Sequence, residues 1–367
     1  MRFFLILGVL AAVLAAGVVG WGNAAWDAPG LPAPYGKETV VFIPPHSRTH
    51  DIARMLEKRG VTRYGLLFEL DVRMKGLAGQ IKAGEYAIPS RASMKRIAGL
   101  LVAGKGIQHK LTAAEGLTSD MIWKLVRNDG TLVGDAGPEP AEGTLLPETY
   151  LFTRGETRAH MLARMRQAQQ KFLAEKWDHR ADGLPLKTMR EAVILASLVE
   201  KETALPQERR HIASVFVNRL KVGMKLQTDP TIIYGITRGY PLGRGIRQSE
   251  IDAATPYNTY VIAGLPPGPI CNPGKDSIAA VLDPDQTDDL FFVASGNGGH
   301  VFSDTMAAHL RNVAAYRAQE RHNDQPERQV GESPKVARPA IALPDAAATP
   351  KLPGARRAPA GRRRVRH

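Results

Sequence analysis

The sequence contains one cysteine, Cys271, among 367 residues. A single thiol excludes an intrachain disulfide and any metal site built from several cysteines. The histidines show no spacing typical of metal ligands, so we expect neither a metal nor a cofactor. We interpret Cys271 as a small, partly buried side chain rather than a nucleophile.

Excess positive charge is scarce in the body of the chain, although the formal net charge is +13. Residues 333–367 hold nine Lys or Arg residues and one acidic residue, a net +8 that leaves +5 for the rest. The basic character therefore belongs mainly to the C-terminus, and we expect no nucleic-acid partner. Residues 323–367 are rich in Pro, Ala and Arg without periodicity, which predicts a disordered tail.

The N-terminal run from Phe3 to Trp21 contains no charged residue. A run of about 18 or more apolar residues is long enough to span a bilayer, so residues 1–22 predict a cytoplasmic tip and a transmembrane helix. Arg2 favours a cytoplasmic N-terminus. A cleaved signal peptide is the alternative, since "AAG" and "GNAA" resemble cleavage sites. Residues 23–36, rich in Gly, Pro and Ala, predict a linker.

The remaining chain predicts an α+β fold in two domains. Residues 37–106 read as strand, two helices, strand and helix, an order that resembles the LysM-like module of wall-binding proteins; a structural spacer of the same shape is the alternative. Residues 107–322 predict a mixed α+β domain with a buried helix over about 187–203. The segments "QTDPTIIYG" (227–235), "TPYNTY" and "GLPPGPICNPG" predict loops.

The buried helix ends in an unusual way. Seven of the eight residues from Ala192 to Val199 are apolar, and Glu200, Lys201 and Glu202 follow them. Helical spacing puts Glu202 over the more apolar face, where burial would raise the pKa of its carboxyl group toward that of a general acid. The alternative is that both glutamates merely close the polar end of the helix. Spacing alone leaves both interpretations open.

Four motifs occur in a fixed order after residue 190: "ASLVEKETA", "SVFVNRLKVGMKLQTDPTIIYG", "TPYNTYVIAGLPPGPICNPG" and "GGHVFSDT". Together they closely resemble the endolytic murein transglycosylase family of YceG-like proteins, over about residues 37–320. The resemblance implies a YceG-like catalytic domain in a single-pass inner-membrane lyase that faces the periplasm. Such an enzyme cuts nascent glycan strands between N-acetylmuramic acid and N-acetylglucosamine, leaves a 1,6-anhydro end and so limits strand length. Its implied partners are glycan polymerases and penicillin-binding proteins.

The resemblance places the catalytic glutamate at the second Glu of "EKET", which is Glu202. Polar and aromatic residues of the other motifs are candidates for substrate binding: Asn218, Gln227, Tyr257, Asn258 and Tyr260. Glu200 and Asp229 are possible secondary residues. Each candidate also has a structural alternative, such as a satisfied buried amide for Asn218, ring packing for the tyrosines and a turn before Pro230 for Asp229.

Two other functions stay open at this point. The chain could be a glycan-binding scaffold of the wall-synthesis machinery, in which the LysM-like unit grips the strand. It could also be a hydrolytic muramidase that uses Glu202 together with Asp229, because retaining glycosidases need a pair of carboxyl groups.

Overall fold

The structure is a computed structural model, and it describes residues 2–34 and 36–323. It shows a mixed α+β fold in which helices dominate and each of three small sheets has two antiparallel strands. The predicted tail lies outside the described residues from residue 324 onward. The α-helices and strands of the first part of the chain are α1 (Arg2–Asp27), β1 (Glu38–Ile43), α2 (Thr49–Lys58), α3 (Gly65–Met74), β2 (Gly84–Pro89) and α4 (Met94–Ala103).

The second part begins with a strand and a helix that belong to a second hydrophobic cluster, and the long helices follow. Its elements are β3 (His109–Thr112), α5 (Ser119–Asn128), β4 (Thr149–Phe152), α6 (Arg158–Asp178), α7 (Met189–Glu202), α8 (Arg209–Lys221), α9 (Asp229–Thr237), α10 (Gln248–Ile251), α11 (Lys275–Leu282), β5 (Phe291–Ala294), β6 (His300–Ser303) and α12 (Met306–Asn323).

The N-terminal helix is longer than the sequence predicts. Helix α1 continues through residues 23–27, which the sequence assigned to a linker. The reason is that Trp26 is buried and stacks on Phe68 of α3, with ring centroids 6.3 Å apart, so packing holds the last turn in helical form. Within the described part of the chain, no helix has both the length and the apolarity that a bilayer crossing requires.

The first α/β unit forms around the antiparallel pair of β1 and β2, in which Glu38 lies opposite Pro89 and Ile43 opposite Gly84. Helices α2, α3 and α4 add apolar side chains to a common core with these strands. Helix α4 begins at the N-cap Ser93, whose hydroxyl accepts a hydrogen bond from the Arg96 amide, and ends at Gly104 in the left-handed conformation. The likeness to a LysM module and the boundary at residue 106 remain predictions.

Helix α7 is the central element of the second part. A capping box between Thr188 and Glu191 fixes its start. All eight residues from Ala192 to Val199 are buried, as the sequence predicts, and they pack against α6, α8, α9 and α11. Because a helix enclosed on every side can expose only its end, the C-terminus of α7 is where its polar side chains collect.

One predicted loop is wrong. Residues 229–235 of the segment "QTDPTIIYG" belong to helix α9 instead of a loop. Pro230 does not prevent this because it lies in the first turn, where the backbone N–H that proline lacks has no partner within the helix. Thr231, Ile232 and Tyr234 are buried, and this packing decides the local structure.

Candidate active site

Glu202 is the last residue of α7 and lies deep in the protein. Its side chain is only partly exposed, and protein atoms surround the carboxyl group on most sides. Burial raises the pKa of Glu202 above its ordinary value, a hydrogen bond from Thr228 lowers it, and the nearby Asp229 carboxylate raises it again. The net direction is upward. A carboxyl group that is deep but still accessible can stay protonated near neutral pH and meet a substrate.

Three buried threonines lie beneath this carboxyl group. The Thr228 hydroxyl donates a hydrogen bond to Oε1 of Glu202. The Thr228 amide donates to the hydroxyl of Thr259 (3.0 Å), and the hydroxyls of Thr259 and Thr231 are 2.9 Å apart. The Thr231 hydroxyl also donates to the Thr228 carbonyl oxygen (2.7 Å). This network joins the first turn of α9 to the loop at residue 259, so it fixes the donor that meets Glu202.

A second carboxyl group lies close to Glu202. Asp229 is exposed, and its Oδ1 accepts a hydrogen bond of 2.7 Å from the Tyr260 hydroxyl. Burial and the Asp229 carboxylate both raise the pKa of Tyr260, so its phenol stays protonated. The charges of Asp229 and Glu202 interact unfavourably, which is one reason that the pKa of Glu202 is raised.

Basic groups also face this region. Arg219 on α8 is buried, and it donates to the carbonyl oxygens of Leu226 (2.6 Å) and Leu290 (2.7 Å). His300 at the start of β6 is held by Glu208, with Nδ1 and Oε2 2.7 Å apart. The charges of Arg219 and of a protonated His300 lower the pKa of Glu202, although burial outweighs both. These groups favour the carboxylate form, which a carboxyl group that acts as acid and then as base must also reach.

The residues around Glu202 lie in a part of the chain that is similar to known proteins. A model of the YceG-like family matches residues 41–315. The chain belongs to the YceG-like family. It is 31% identical over 312 residues to an endolytic murein transglycosylase of Bacillus subtilis (strain 168), a match that covers 76% of this chain and 85% of that protein.

The chain is similar to two further proteins. An endolytic murein transglycosylase of Streptococcus pneumoniae serotype 2 is 30% identical over 329 residues, a match that covers 76% of this chain and 58% of that longer protein. A crystal structure of a YceG-like protein from Listeria monocytogenes covers 76% of this chain and 99% of its own, with 28% identity and a TM-score of 0.47.

The two glutamates of the YceG-like "EKET" run are not equivalent. Glu200 turns away from Glu202: its Oε2 accepts a hydrogen bond of 2.9 Å from the amide of Gly274, the N-cap of α11, and its Oε1 is 3.7 Å from Arg209. A carboxylate at a helix N-terminus is favourable because the unpaired amides there carry partial positive charge. Glu200 therefore joins α7 to α11 and α8, and it is not part of the group around Glu202.

Three other predicted residues make structural contacts. Asn218 donates through Nδ2 to the carbonyl oxygens of Thr287 (2.8 Å) and Asp289 (3.1 Å), so it ties α8 to the loop before β5. Asn258 is buried, and its Nδ2 donates to carbonyl oxygens in the segment 250–253. The ring centroids of Tyr257 and Tyr234 are 4.9 Å apart. For these residues the structure shows the contacts that the packing alternatives predict.

Gln227, unlike Asn218 and Asn258, has an exposed side chain. It directly precedes Thr228, and its backbone has a φ of 48°, in the left-handed region that non-glycine residues rarely occupy. Among the predicted substrate-binding residues, Tyr260 bonds Asp229, and Gln227 is the chain neighbour of Thr228, which bonds Glu202. No group of three or more His, Cys, Asp or Glu residues among residues 2–34 and 36–323 could hold a metal ion.

Thr228 and Arg219 are part of this site, and sequence reasoning did not identify them. Both residues stand inside the motif "SVFVNRLKVGMKLQTDPTIIYG", beside Asn218 and Gln227. Two sequence features could have pointed to them: Arg219 is a charged residue within the apolar pattern of α8, and Thr228 is a hydroxyl residue directly before Asp229. Neither feature indicates a site residue unless the three-dimensional contact is known.

Proposed function

We propose that this chain is an endolytic murein transglycosylase, a lyase that cuts peptidoglycan glycan strands internally. The observation that carries the proposal is the Glu202 carboxyl group, which is held by Thr228 and has a raised pKa in a member of the YceG-like family. The names of the Bacillus and Streptococcus relatives support the reaction class.

The cleavage proceeds with one carboxyl group in two roles. Glu202 in its acid form donates its proton to the glycosidic oxygen as the bond from that oxygen to C1 of N-acetylmuramic acid breaks. The resulting carboxylate then accepts the proton of the muramic 6-hydroxyl as that oxygen bonds to C1, which closes the 1,6-anhydro ring and restores the acid. No water is consumed. The raised pKa of Glu202 supports the first step, and the hydrogen bond from Thr228 supports the carboxylate in the second.

Substrate contacts come from the residues around this carboxyl group. The exposed Gln227 side chain is available to bind sugar hydroxyl or acetamido groups next to the scissile bond. Tyr260 offers a ring face for a sugar, and its bond to Asp229 fixes that ring. In this proposal Asp229 shapes the site and the charge around Glu202 and forms no bond to the sugar.

Hydrolysis is the second candidate because a second carboxylate, Asp229, interacts with Glu202. A muramidase would add water and leave reducing ends. The engagement of Asp229 by the Tyr260 hydroxyl favours a positioning role over attack at C1, since that hydrogen bond stabilises the charged oxygen that would have to react.

The test is the analysis of products from intact, insoluble murein. We expect 1,6-anhydro ends from the unaltered protein and an approximately 100-fold or greater loss of rate with Glu202→Gln, the lower end of what a general acid contributes. Glu200→Gln is the matched control, two residues earlier on the same helix and outside the site, and it should retain anhydro products.

Folding has to be checked separately, because an inactive variant could be an unfolded one. Glu202→Gln should melt at or above the temperature of the unaltered protein at neutral pH, since it removes a buried group that resists ionisation. A folded Glu202→Gln protein with full activity would exclude Glu202 as the acid. Reducing ends in place of anhydro ends would establish the hydrolase, and binding of murein without any cleavage would establish the scaffold.

We also propose a location at the inner membrane, with the catalytic part on the periplasmic side and glycan polymerases and penicillin-binding proteins as partners. The support is the uncharged run from Phe3 to Trp21 with Arg2 before it, and the position of murein outside the cytoplasm. The test is fractionation of cells at alkaline pH, followed by protease treatment of intact spheroplasts. Recovery of the chain in the soluble cytoplasmic fraction would contradict this location.

A further inference from the structure

Helix α3 exposes an apolar stripe to solvent. Leu66, Leu70 and Met74 follow one another at intervals of four residues, and their exposed fractions are 70%, 47% and 75%. Residues that are four apart lie on one face of a helix, so the three side chains form a continuous row. The opposite face, with Phe68 and Val72, is buried in the core of the first α/β unit.

This stripe adjoins the exposed apolar surface of α1. Leu67, next to the stripe on α3, lies beside Gly22 of α1. Trp21 of α1 and Tyr64, the residue before α3, meet edge to face with ring centroids 5.9 Å apart, and both rings are about half exposed. Further along α1, large apolar side chains are exposed in the same way: Ile6, Val9, Leu10, Val13 and Leu14.

Exposed basic residues flank the stripe. Arg63 precedes α3, Arg73 lies about two turns after Leu66 on the same face of the helix, and Lys75 follows the last turn. The two acidic residues of α3, Glu69 and Asp71, are buried, and Glu69 is paired with Arg73 at 2.7 Å. The exposed Glu57 of α2 also accepts a hydrogen bond from the Gly65 amide at the start of α3. Three exposed basic groups and one exposed carboxylate therefore lie beside the stripe, and their net charge is positive.

We propose that the α3 stripe rests on the surface of a bilayer that contains anionic lipids, next to α1. Helices that lie in a membrane interface combine an apolar face with flanking Lys or Arg, and Trp and Tyr rings collect at the boundary between water and hydrocarbon. Basic residues near such a surface gain from its negative potential. This inference rests on the membrane location proposed above and extends the contact from α1 to the first α/β unit.

The test locates α3 relative to lipid in the full-length protein. The native Cys271 is fully buried, so it should not react in the folded protein and a single added cysteine can carry an environment-sensitive fluorophore. The probe positions are Leu66→Cys and Met74→Cys. Val222→Cys is the matched control, an exposed apolar position (65%) at the end of α8. The proteins are reconstituted into vesicles of phosphatidylethanolamine and phosphatidylglycerol, with and without a nitroxide quencher on the acyl chains.

We expect blue-shifted emission and nitroxide quenching at positions 66 and 74 and water-like emission at position 222. Arg63→Gln should weaken the shift at position 66 on anionic vesicles, with about a fivefold loss of the bound population for one basic charge, and leave neutral vesicles unchanged. Water-like emission at 66 and 74 in protein that sediments with vesicles would overturn the α3 contact alone.

Other outcomes identify different occupants. If the protein does not associate with vesicles at all, the proposed membrane location fails together with this inference, whereas the glycan-cleavage assay is unaffected. A blue shift at 66 and 74 that needs no vesicles and grows with protein concentration would show that a second copy of the chain covers the stripe, and it would also overturn the proposal.

Discussion

Replacement of Thr228 by valine tests the hydrogen bond on which the acid–base role of Glu202 depends. Valine has nearly the same shape, so Thr228→Val removes the donor to Oε1 and little else. A hydrogen bond to a charged group contributes about 1.5–3 kcal/mol, so its loss should have a measurable effect on the acid–base equilibrium of Glu202. Because the donor stabilises the carboxylate form, its loss should raise the pKa of Glu202 further.

The assay is the pH dependence of kcat/KM, measured from the release of anhydro ends. The free enzyme must hold Glu202 in its acid form, so activity falls as pH rises through the pKa of Glu202, and this alkaline limb should move upward in Thr228→Val. At the pH of maximal activity the rate should fall, because the carboxyl group is less well fixed for its second role. Thr237→Val is the matched control, since it removes a hydroxyl at the other end of α9 that bonds only backbone carbonyl oxygens. An unmoved alkaline limb in a folded Thr228→Val protein would refute the assigned role of this bond.

The remaining predictions concern charge and packing near the same site. Asp229→Asn removes a carboxylate that raises the pKa of Glu202, so the alkaline limb of the kcat/KM profile should move to lower pH. A limb that moves to higher pH would contradict this interaction. Loss of all activity would favour the hydrolase. Asn272→Ala should reduce the free energy of unfolding by about 2–4 kcal/mol in denaturant titrations, because the buried Asn272 amide bonds the backbone of Leu117 and Leu145. Lys275→Ala, at an exposed position, is the control. Equal stability of the two variants would be inconsistent with this role of Asn272.

The sequence predicted the parts of the fold that depend on local patterns. The apolar run from Ala192 to Val199 predicts a helix buried on every side, and the structure has it. The helix predicted last in residues 37–106 is also present, as α4, and the Ser93 hydroxyl caps its start by accepting from a free backbone amide. Helical spacing places Glu202 over the more apolar face, but the resemblance to the YceG-like family is what distinguishes it from Glu200. In the structure the two carboxyl groups contact different neighbours.

The rest depends on contacts between distant segments. The loop predicted for 227–235 is helical from Asp229 because buried Thr231 and Tyr234 outweigh the turn-forming signal of Asp229 and Pro230. Asn258 has the residue type of a sugar ligand, yet it bonds its own loop. The meeting of Thr228 with Glu202 joins residues 26 positions apart, and no periodicity records such a pair.

The left-handed backbone of Gln227 has a consequence for how this site can vary. A side chain in that conformation costs about 1–2 kcal/mol relative to glycine, which adopts it freely. Glycine at this position would therefore stabilise the folded chain and would remove an exposed amide next to Thr228. Glutamine here costs some folding stability, so variants selected only for thermal tolerance should drift toward glycine or asparagine at position 227. If Gln227 binds substrate as proposed above, those with glycine should lose turnover.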